Sequence, residues 1–307
     1  MSTHRWVVTA LIVSALPLRS ARADTADAIP GHTVERPVAG GIQATALAVG
    51  GLSYLIPARG GALWDHELLD LDLRVRDDFS RRASHLSDGL LVLSVLAPAA
   101  YLTGTTIDDA DGDKLLLYSE TMAINVGMAS LVKHLVQRPR PYMYSKDPSV
   151  RAYAKGQGAD AHMSFYSGHA AITFGAAMAG AYLLGASGEN EQVRGIAFGA
   201  GFGIAAMTAT LRVRAGKHFV SDVLVGAVVG TSIGYLVPAL HADDGAFKPS
   251  ANELTLAGVG IVAGVLTARF LPLESQRDTE NPERGAFWQL TPTVANGSAG
   301  FGVVGGW

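Results

Sequence analysis

Three short clusters in this chain combine basic, imidazole and carboxylate side chains, and the first is the segment 133–141, KHLVQRPRP. Lys133 and Arg140 are seven residues apart, which puts them on one face if a helix persists over two turns. Two cations at the end of an apolar helix are costly to desolvate unless an anion neutralises them. The cluster therefore indicates an anion site or, alternatively, a basic flank that anchors a helix end.

The second cluster is the segment 165–169, FYSGH, directly before an apolar run. Ser167 is a natural N-cap residue, and Gly168 allows a ligand to approach the backbone. Free N–H groups at a helix N-terminus favour an anion, to which His169 in the first turn could transfer a proton. The alternative is a capped helix start without a ligand.

The third cluster is the segment 211–222, LRVRAGKHFVSD. His218 and Asp222 are four residues apart, so they are neighbours on one helix face. A carboxylate bonded to one ring nitrogen fixes the imidazole tautomer and leaves the other nitrogen free to attack. Arg212, six residues upstream, could return to the same anion through a loop. Alone, such a pair could equally be a contact on a helix surface.

In this order, the three clusters resemble the signature of the type 2 phosphatidic acid phosphatase superfamily, which includes bacterial acid phosphatases and vanadium haloperoxidases. The resemblance covers about residues 115–240 and implies an all-α fold, a six-helix bundle of the phosphatase/haloperoxidase kind. Two departures, Tyr166 where the family usually has Pro and Leu211 where it usually has Ser, bear on substrate fit more than on chemistry.

The resemblance also implies a role for each motif residue. His218 would be the nucleophile that forms a phosphohistidine, Asp222 its orienting partner and His169 the general acid. The phosphate-binding residues would be Lys133, Arg140, Ser167, Gly168 and Arg212. Arg138 and Arg214 are neighbours of the motif residues in the chain and could contribute positive charge without contacting the phosphate directly.

These roles predict a phosphatase that needs no metal, because fixed cations can stabilise the transferring phosphoryl group. Its substrate would be a lipid phosphate, an isoprenoid pyrophosphate or a small phosphate ester, with no cofactor. One alternative is a vanadium-dependent haloperoxidase, with vanadate in the same cradle. Another is a non-catalytic envelope protein that binds anionic lipid headgroups and needs the cations but neither histidine.

The clusters must be positioned by apolar segments, of which the sequence has six: 38–58, 89–104, 115–136, 167–186, 195–211 and 218–240. We predict that they form the helices of the bundle, with frequent Gly and Ala allowing close approach. The stretch 64–88 alternates apolar and charged residues and predicts a surface or interfacial helix.

The chain divides into four parts. Residues 1–23 predict a signal peptide or N-terminal anchor, because a basic start precedes an apolar run and small residues. Residues 24–37 read as a polar linker, and 38–245 as the phosphatase-like helical catalytic domain. Residues 246–307 form a C-terminal extension of unknown role, with a possible helix over 254–270 and a possible β-hairpin near the end.

The amino-acid composition limits the possible cellular compartments and binding partners of the protein. The net charge of −3 argues against a nucleic-acid partner, and the absence of cysteine excludes thiolate chemistry and disulfides. Hydrophobic residues make up 49% of the chain and charged residues 17%, so membrane association is possible. An exported N-terminus would place the site of a six-span protein on the inner face. The sequence therefore favours a soluble or peripheral periplasmic enzyme of the bacterial cell envelope over an integral inner-membrane one.

Overall fold

The computed structural model describes residues 32–58, 69–75, 78–109, 112–186, 189–243 and 245–273, and the backbone of two strands near the end. The predicted signal peptide or anchor and most of the polar linker lie outside these residues. The helices are α1 Arg36–Leu52, α2 Asp70–Leu73, α3 Arg81–Asp109, α4 Asp113–Val136, α5 Pro148–Lys155, α6 Gly168–Ala186, α7 Glu191–Arg214, α8 Val220–Ala239 and α9 Ala251–Phe270. The strands are β1 Phe287–Ala295 and β2 Ser298–Gly306.

The six predicted apolar segments correspond to α1, α3, α4, α6, α7 and α8, which confirms the helical bundle. Helix α6 is its centre and packs against α3, α4, α7 and α8, while α1 covers α4 and α9 covers α7. Two apolar clusters fill the core, one around Phe174, Phe198 and Phe202, the other around Leu117 and Leu183. The C-terminal extension contains the expected helix, α9, and an antiparallel hairpin of β1 and β2.

Close helix packing depends on small residues, as the sequence predicts. A Cβ atom at Gly230 of α8 would lie 2.0 Å from the backbone oxygen of Ala171 on α6, and one at Gly260 of α9 would lie 2.0 Å from the oxygen of Gly199 on α7. At Gly127 of α4 the same atom would meet the α1 backbone at 2.2 Å. Glycine is therefore required where these helix backbones touch.

The stretch 64–88 is not one surface helix. Its described part contains the four-residue helix α2 and the first two turns of α3. Asp72 of α2 is fully buried and accepts hydrogen bonds from the backbone and side chain of Ser221 at the start of α8. The alternating pattern reflects a segment held against the bundle by a buried carboxylate, which periodicity alone does not reveal.

One end of the bundle gathers the three motifs. The C-termini of α4 and α7 and the N-termini of α3, α6 and α8 meet there, as contacts between their first or last turns show. The ends of α1 and α9 lie at this end too, because Ser53 contacts His134, and Arg214 donates to the carbonyl of Leu271. At the other end, Thr33 before α1 bonds His241 and Asp243 after α8.

Seven described helices, all except the short α2 and α5, are long and apolar enough to cross a membrane by length and composition. Large apolar side chains are exposed on their outer faces: Leu52, Leu93, Leu96, Val228, Leu236, Val259, Val262 and Phe270. An apolar exterior of this extent indicates membrane association.

Candidate active site

The phosphate cradle expected from the first motif is built partly from a loop rather than from one helix face. Helix α4 ends at Val136 because Gln137 adopts a left-handed backbone conformation, with φ of 50°, and two prolines follow. Lys133 is therefore on the last turn of α4, whereas Arg140 lies beyond the helix. The expectation that a continuous helix aligns the two residues is wrong.

Arg140 is instead fixed by three hydrogen bonds to two other loops. Its guanidinium donates to the backbone oxygen of Asp160 at 2.8 Å, to the Asp160 carboxylate at 2.6 Å and to the backbone oxygen of Lys217 at 2.9 Å. Lys217 directly precedes His218 in the chain. Arg140 therefore ties the first motif to the third.

The second motif starts α6 as the sequence predicts. Ser167 caps the helix, since its hydroxyl accepts from the backbone N–H of Ala170 at 3.3 Å. Gly168 follows as the first helical residue, and a Cβ atom there would lie 3.3 Å from Nζ of Lys133. The missing side chain thus leaves the Lys133 ammonium beside the N-terminus of α6, where backbone N–H groups lack helical partners.

His218 lies just before α8 and is fully buried. Its Nδ1 donates to the backbone oxygen of Ser164 at 2.7 Å, whereas the Asp222 carboxylate is 3.8 Å away. The carbonyl of Ser164 therefore fixes the tautomer, rather than Asp222 directly. In the described part of the chain, Nε2 is buried without a hydrogen-bond partner. Its lone pair is available to attack an electrophile.

Asp222 orients His218 through Ser164. Its carboxylate accepts from the Ser164 hydroxyl at 2.5 Å and from the backbone N–H of Phe219 at 2.9 Å. Arg138 joins this carboxylate to that of Asp72, at 2.5 and 2.9 Å. Arg138, outside the motif register, thus pairs with two buried carboxylates instead of facing the anion site. Buried charges require such pairing.

His169 has a partner that the motifs do not contain. Its Nε2 donates to the carboxylate of Asp88 on α3 at 2.7 Å, and Arg212 donates to the same oxygen at 3.1 Å. Arg212 also contacts the hydroxyls of Ser84 and Ser87, at 3.4 and 3.3 Å. Asp88 therefore positions the candidate acid and one cradle cation together, and leaves Nδ1 of His169 as the nitrogen that can transfer a proton.

Electrostatics around His218 show that the cations surround it. Burial, and then the charges of Arg140, Arg212 and Lys133, hold the pKa of His218 well below its ordinary value. Its imidazole is therefore neutral at physiological pH, the form in which a nitrogen can act as a nucleophile.

Asp88, Asp160, Ser164 and Lys217 were not among the predicted site residues. Three of them lie outside the motifs, and nothing local marks them: Asp88 is 81 residues from His169, and Ser164 is 54 residues from His218. Lys217 had a visible signal, because it stands inside the third motif beside the candidate nucleophile. Arg214, the other neighbour considered, instead donates to carbonyls at the C-terminus of α9.

The fold and the site together define a helical-bundle protein whose cations and two imidazoles meet at one end of the bundle. Comparison with protein families gives one match: residues 114–245 match the model of the PAP2 superfamily. The match confirms the resemblance predicted from the three motifs and supports phosphatase-type activity on phosphate esters. No curated protein and no solved structure matched the chain.

Proposed function

We propose that this chain is a phosphatase that hydrolyses phosphate monoesters or pyrophosphates through a phosphohistidine on His218, without a metal ion. The observation that carries the proposal is the state of His218. Its Nδ1–H is bound to Ser164, and its buried Nε2 has no partner in the described part of the chain. Fixed tautomer, neutral charge and a free lone pair are what a nucleophilic imidazole needs.

In the first step, Nε2 of His218 attacks phosphorus while the bond from phosphorus to the ester oxygen breaks. The leaving oxygen takes a proton from the imidazolium form of His169, which the Asp88 carboxylate and the negative charge of the bound phosphate together stabilise. Lys133, Arg140 and Arg212 neutralise the oxygens of the transferring group, and Ser167 and Gly168 add hydrogen bonds.

In the second step, water attacks the phosphohistidine and the phosphorus–nitrogen bond breaks, which releases inorganic phosphate. His169, now neutral, accepts the proton of the attacking water and returns to its starting form. Two steps of moderate barrier replace one direct displacement.

The exposed apolar faces support a phosphorylated lipid as the substrate class and an integral position in a membrane of the bacterial cell envelope. A helix such as α9, with Val259, Val262 and Phe270 exposed, is stable in hydrocarbon but costly in water. The site at one end of the bundle would then lie near the membrane surface, where headgroup phosphates are found.

The test is phosphate release by purified protein with excess EDTA, from phosphatidic acid, an isoprenoid diphosphate and p-nitrophenyl phosphate. We expect release with chelator present and a loss of at least about a thousandfold in His218→Asn. His85→Asn, at an exposed histidine on α3, is the matched control and should retain full activity. Activity that disappears with EDTA, or persists in His218→Asn, would overturn the proposal; bromide oxidation after vanadate loading would instead identify a haloperoxidase.

A further inference from the structure

Lys217 is a cation beside the candidate site that the three-motif pattern does not use. Its side chain is 14% exposed. Its ammonium donates to the hydroxyl of Tyr153 at 2.7 Å, lies 3.9 Å from the carboxylate of Asp160 and faces the ring of Tyr142 at 5.5 Å. Its backbone oxygen holds Arg140 at 2.9 Å. Lys217 is thus bound into the loops that carry the cradle.

The net charge of the site indicates a function for Lys217. Lys133, Arg140 and Arg212 supply three positive charges, and the carboxylates of Asp88 and Asp160 interact directly with two of them. A phosphate monoester brings a double negative charge at neutral pH, so with His169 neutral the three cations leave the complex with an excess of negative charge. A fourth cation balances that complex, and it leaves a surplus positive charge once His169 is protonated, which favours a dianion over a monoanion where water is largely excluded.

We propose that Lys217 is a fourth anion-binding cation of this site and that it makes the site select doubly charged phosphate monoesters over singly charged phosphate diesters. The proposal rests on the proposed phosphatase site and adds a specificity-determining residue to it. Tyr153 and Asp160 hold the ammonium within reach of the cradle, and one or two of its three N–H groups are left for phosphate oxygens.

The surroundings of Lys217 also couple its protonation to anion binding. Burial, opposed by the attraction of Asp160 and assisted by the positive charges of Arg140 and Arg212, lowers its pKa to about 7. The groups that face it are Asp160, Arg140, Arg212, Asp88, Tyr153 and Tyr142. A bound dianion raises the pKa of an adjacent ammonium, so binding near pH 7.5 should draw a proton from the buffer.

Sulfate is the appropriate probe, because it is a tetrahedral dianion that does not itself titrate near neutrality. Calorimetric titrations of the full chain at pH 7.5, in two buffers with different ionisation enthalpies, measure the affinity and the protons taken up. We expect the wild type to take up a fraction of one proton per sulfate. In Lys217→Met the affinity should fall about tenfold or more, and the number of protons taken up per sulfate should decrease.

Two further variants separate ligand contact from a structural role. Lys217→Arg should keep the affinity within about threefold but take up fewer protons than the wild type, since arginine is charged at every accessible pH. Lys155→Met, at an exposed lysine on α5, should behave as the wild type. With turnover, Lys217→Met should raise KM for p-nitrophenyl phosphate more than it lowers kcat, and should affect bis(p-nitrophenyl) phosphate less.

Several results would overturn the proposal: sulfate binding by Lys217→Met as tight as that of the wild type, proton uptake by this variant as large as that of the wild type, or a wild type that does not bind sulfate. Phosphate release by the wild type, together with unchanged sulfate binding by Lys217→Met, would reject the role of Lys217 and leave the proposed phosphatase activity standing. Sulfate binding that depends on Lys217, without phosphate release from any ester, would support the role of Lys217 in anion binding and reject the phosphatase activity.

Discussion

At the scale of single residues, the site is organised by carboxylates that the nucleophile does not touch. Asp222 acts on His218 through the backbone of Ser164, and Asp88 joins His169 to Arg212. A carboxylate that contacts an imidazole stabilises its protonated form and fixes its orientation. The two imidazoles therefore differ in their partners: His169 contacts a carboxylate, whereas His218 contacts a backbone carbonyl.

The role of Asp88 can be tested with leaving groups. We expect Asp88→Asn to slow the hydrolysis of an alkyl phosphate by about tenfold to a hundredfold, because the poor leaving group needs the proton of His169. The same variant should change kcat for p-nitrophenyl phosphate, whose leaving group needs little protonation, by less than about threefold. Asp70→Asn, at an exposed carboxylate of α2, is the control. Equal losses for both substrates would mean that Asp88 serves Arg212 or the fold rather than proton transfer.

The sequence identified the residues of the three motifs but not how they are held. Types and spacing suffice for His169 and His218, because each is defined by its immediate neighbours in the chain. Asp88 and Asp160 act over 81 and 20 residues, and nothing near them distinguishes a site carboxylate from a solvated one. The predicted pairing of His218 with Asp222 failed as a direct contact because His218 precedes α8 instead of lying on it.

At the scale of elements, the site depends on how closely α8 approaches α6. Gly226, Gly230 and Gly234 form a stripe along α8 at four-residue spacing, and a Cβ at any of them would meet the backbone of α6 within 2.6 Å. The backbone N–H of Ser167 donates to the carbonyl of Asp222 at the head of this contact. The same packing that closes the core therefore sets the position of His218 relative to the second motif.

Gly230→Ala should disrupt this arrangement. The added methyl group would collide with Ala171, and relief by helix displacement should destabilise the fold by about 1–3 kcal/mol and reduce kcat. Thermal unfolding in detergent and phosphate release measure the two effects. Gly258→Ala is the matched control, because a Cβ there meets nothing within 4 Å; it should be neutral or stabilise α9 by up to about 1 kcal/mol. Two variants with equal unfolding temperatures and activities would contradict the packing argument.

Helices were the elements that the sequence predicted best. Long apolar runs specify α4 and α6 to within two residues, and the Ser cap and Gly start of α6 mark its first turn. The point at which a helix ends was harder to predict from the sequence. Gln137 ends α4 before Arg140 by adopting a left-handed backbone conformation, although Gln is not a typical residue for it. The short helix α2 was missed because its register is set by a tertiary contact of Asp72.

At the scale of the whole molecule, the number of spans decides which side of a membrane each terminus of the bundle would face. If all seven apolar helices of the described chain cross the membrane, the start of α1 and the end of α9 lie on opposite sides, and the site shares a side with the end of α9. The sequence favoured a soluble or peripheral enzyme because an exported N-terminus would place the site of a spanning bundle on the inner face, and α9, which follows the three motifs, leaves that placement unchanged. The exposed apolar faces, which become visible only once the helices are packed, support the membrane-embedded alternative.

Because the chain contains no cysteine, single substitutions can test this topology without background labelling. Lys155→Cys lies at the site end and Gln192→Cys, on the first turn of α7, at the other end; both native residues are exposed. In sealed membranes, a membrane-impermeant maleimide should label one of the two and should label both after detergent. Labelling of both in sealed membranes, or release of the protein by carbonate, would contradict a spanning bundle.

The central claim is that Nε2 of His218 forms a bond to phosphorus, and rapid quenching of the enzyme with a ³²P-labelled phosphate monoester tests it most directly. We expect a label that is labile to acid, stable to alkali and confined to the peptide that contains His218, and we expect no label in His218→Asn. A label on another residue would contradict the account. Turnover by the wild type without a trapped phosphohistidine, together with undiminished activity in His218→Asn, would also contradict it.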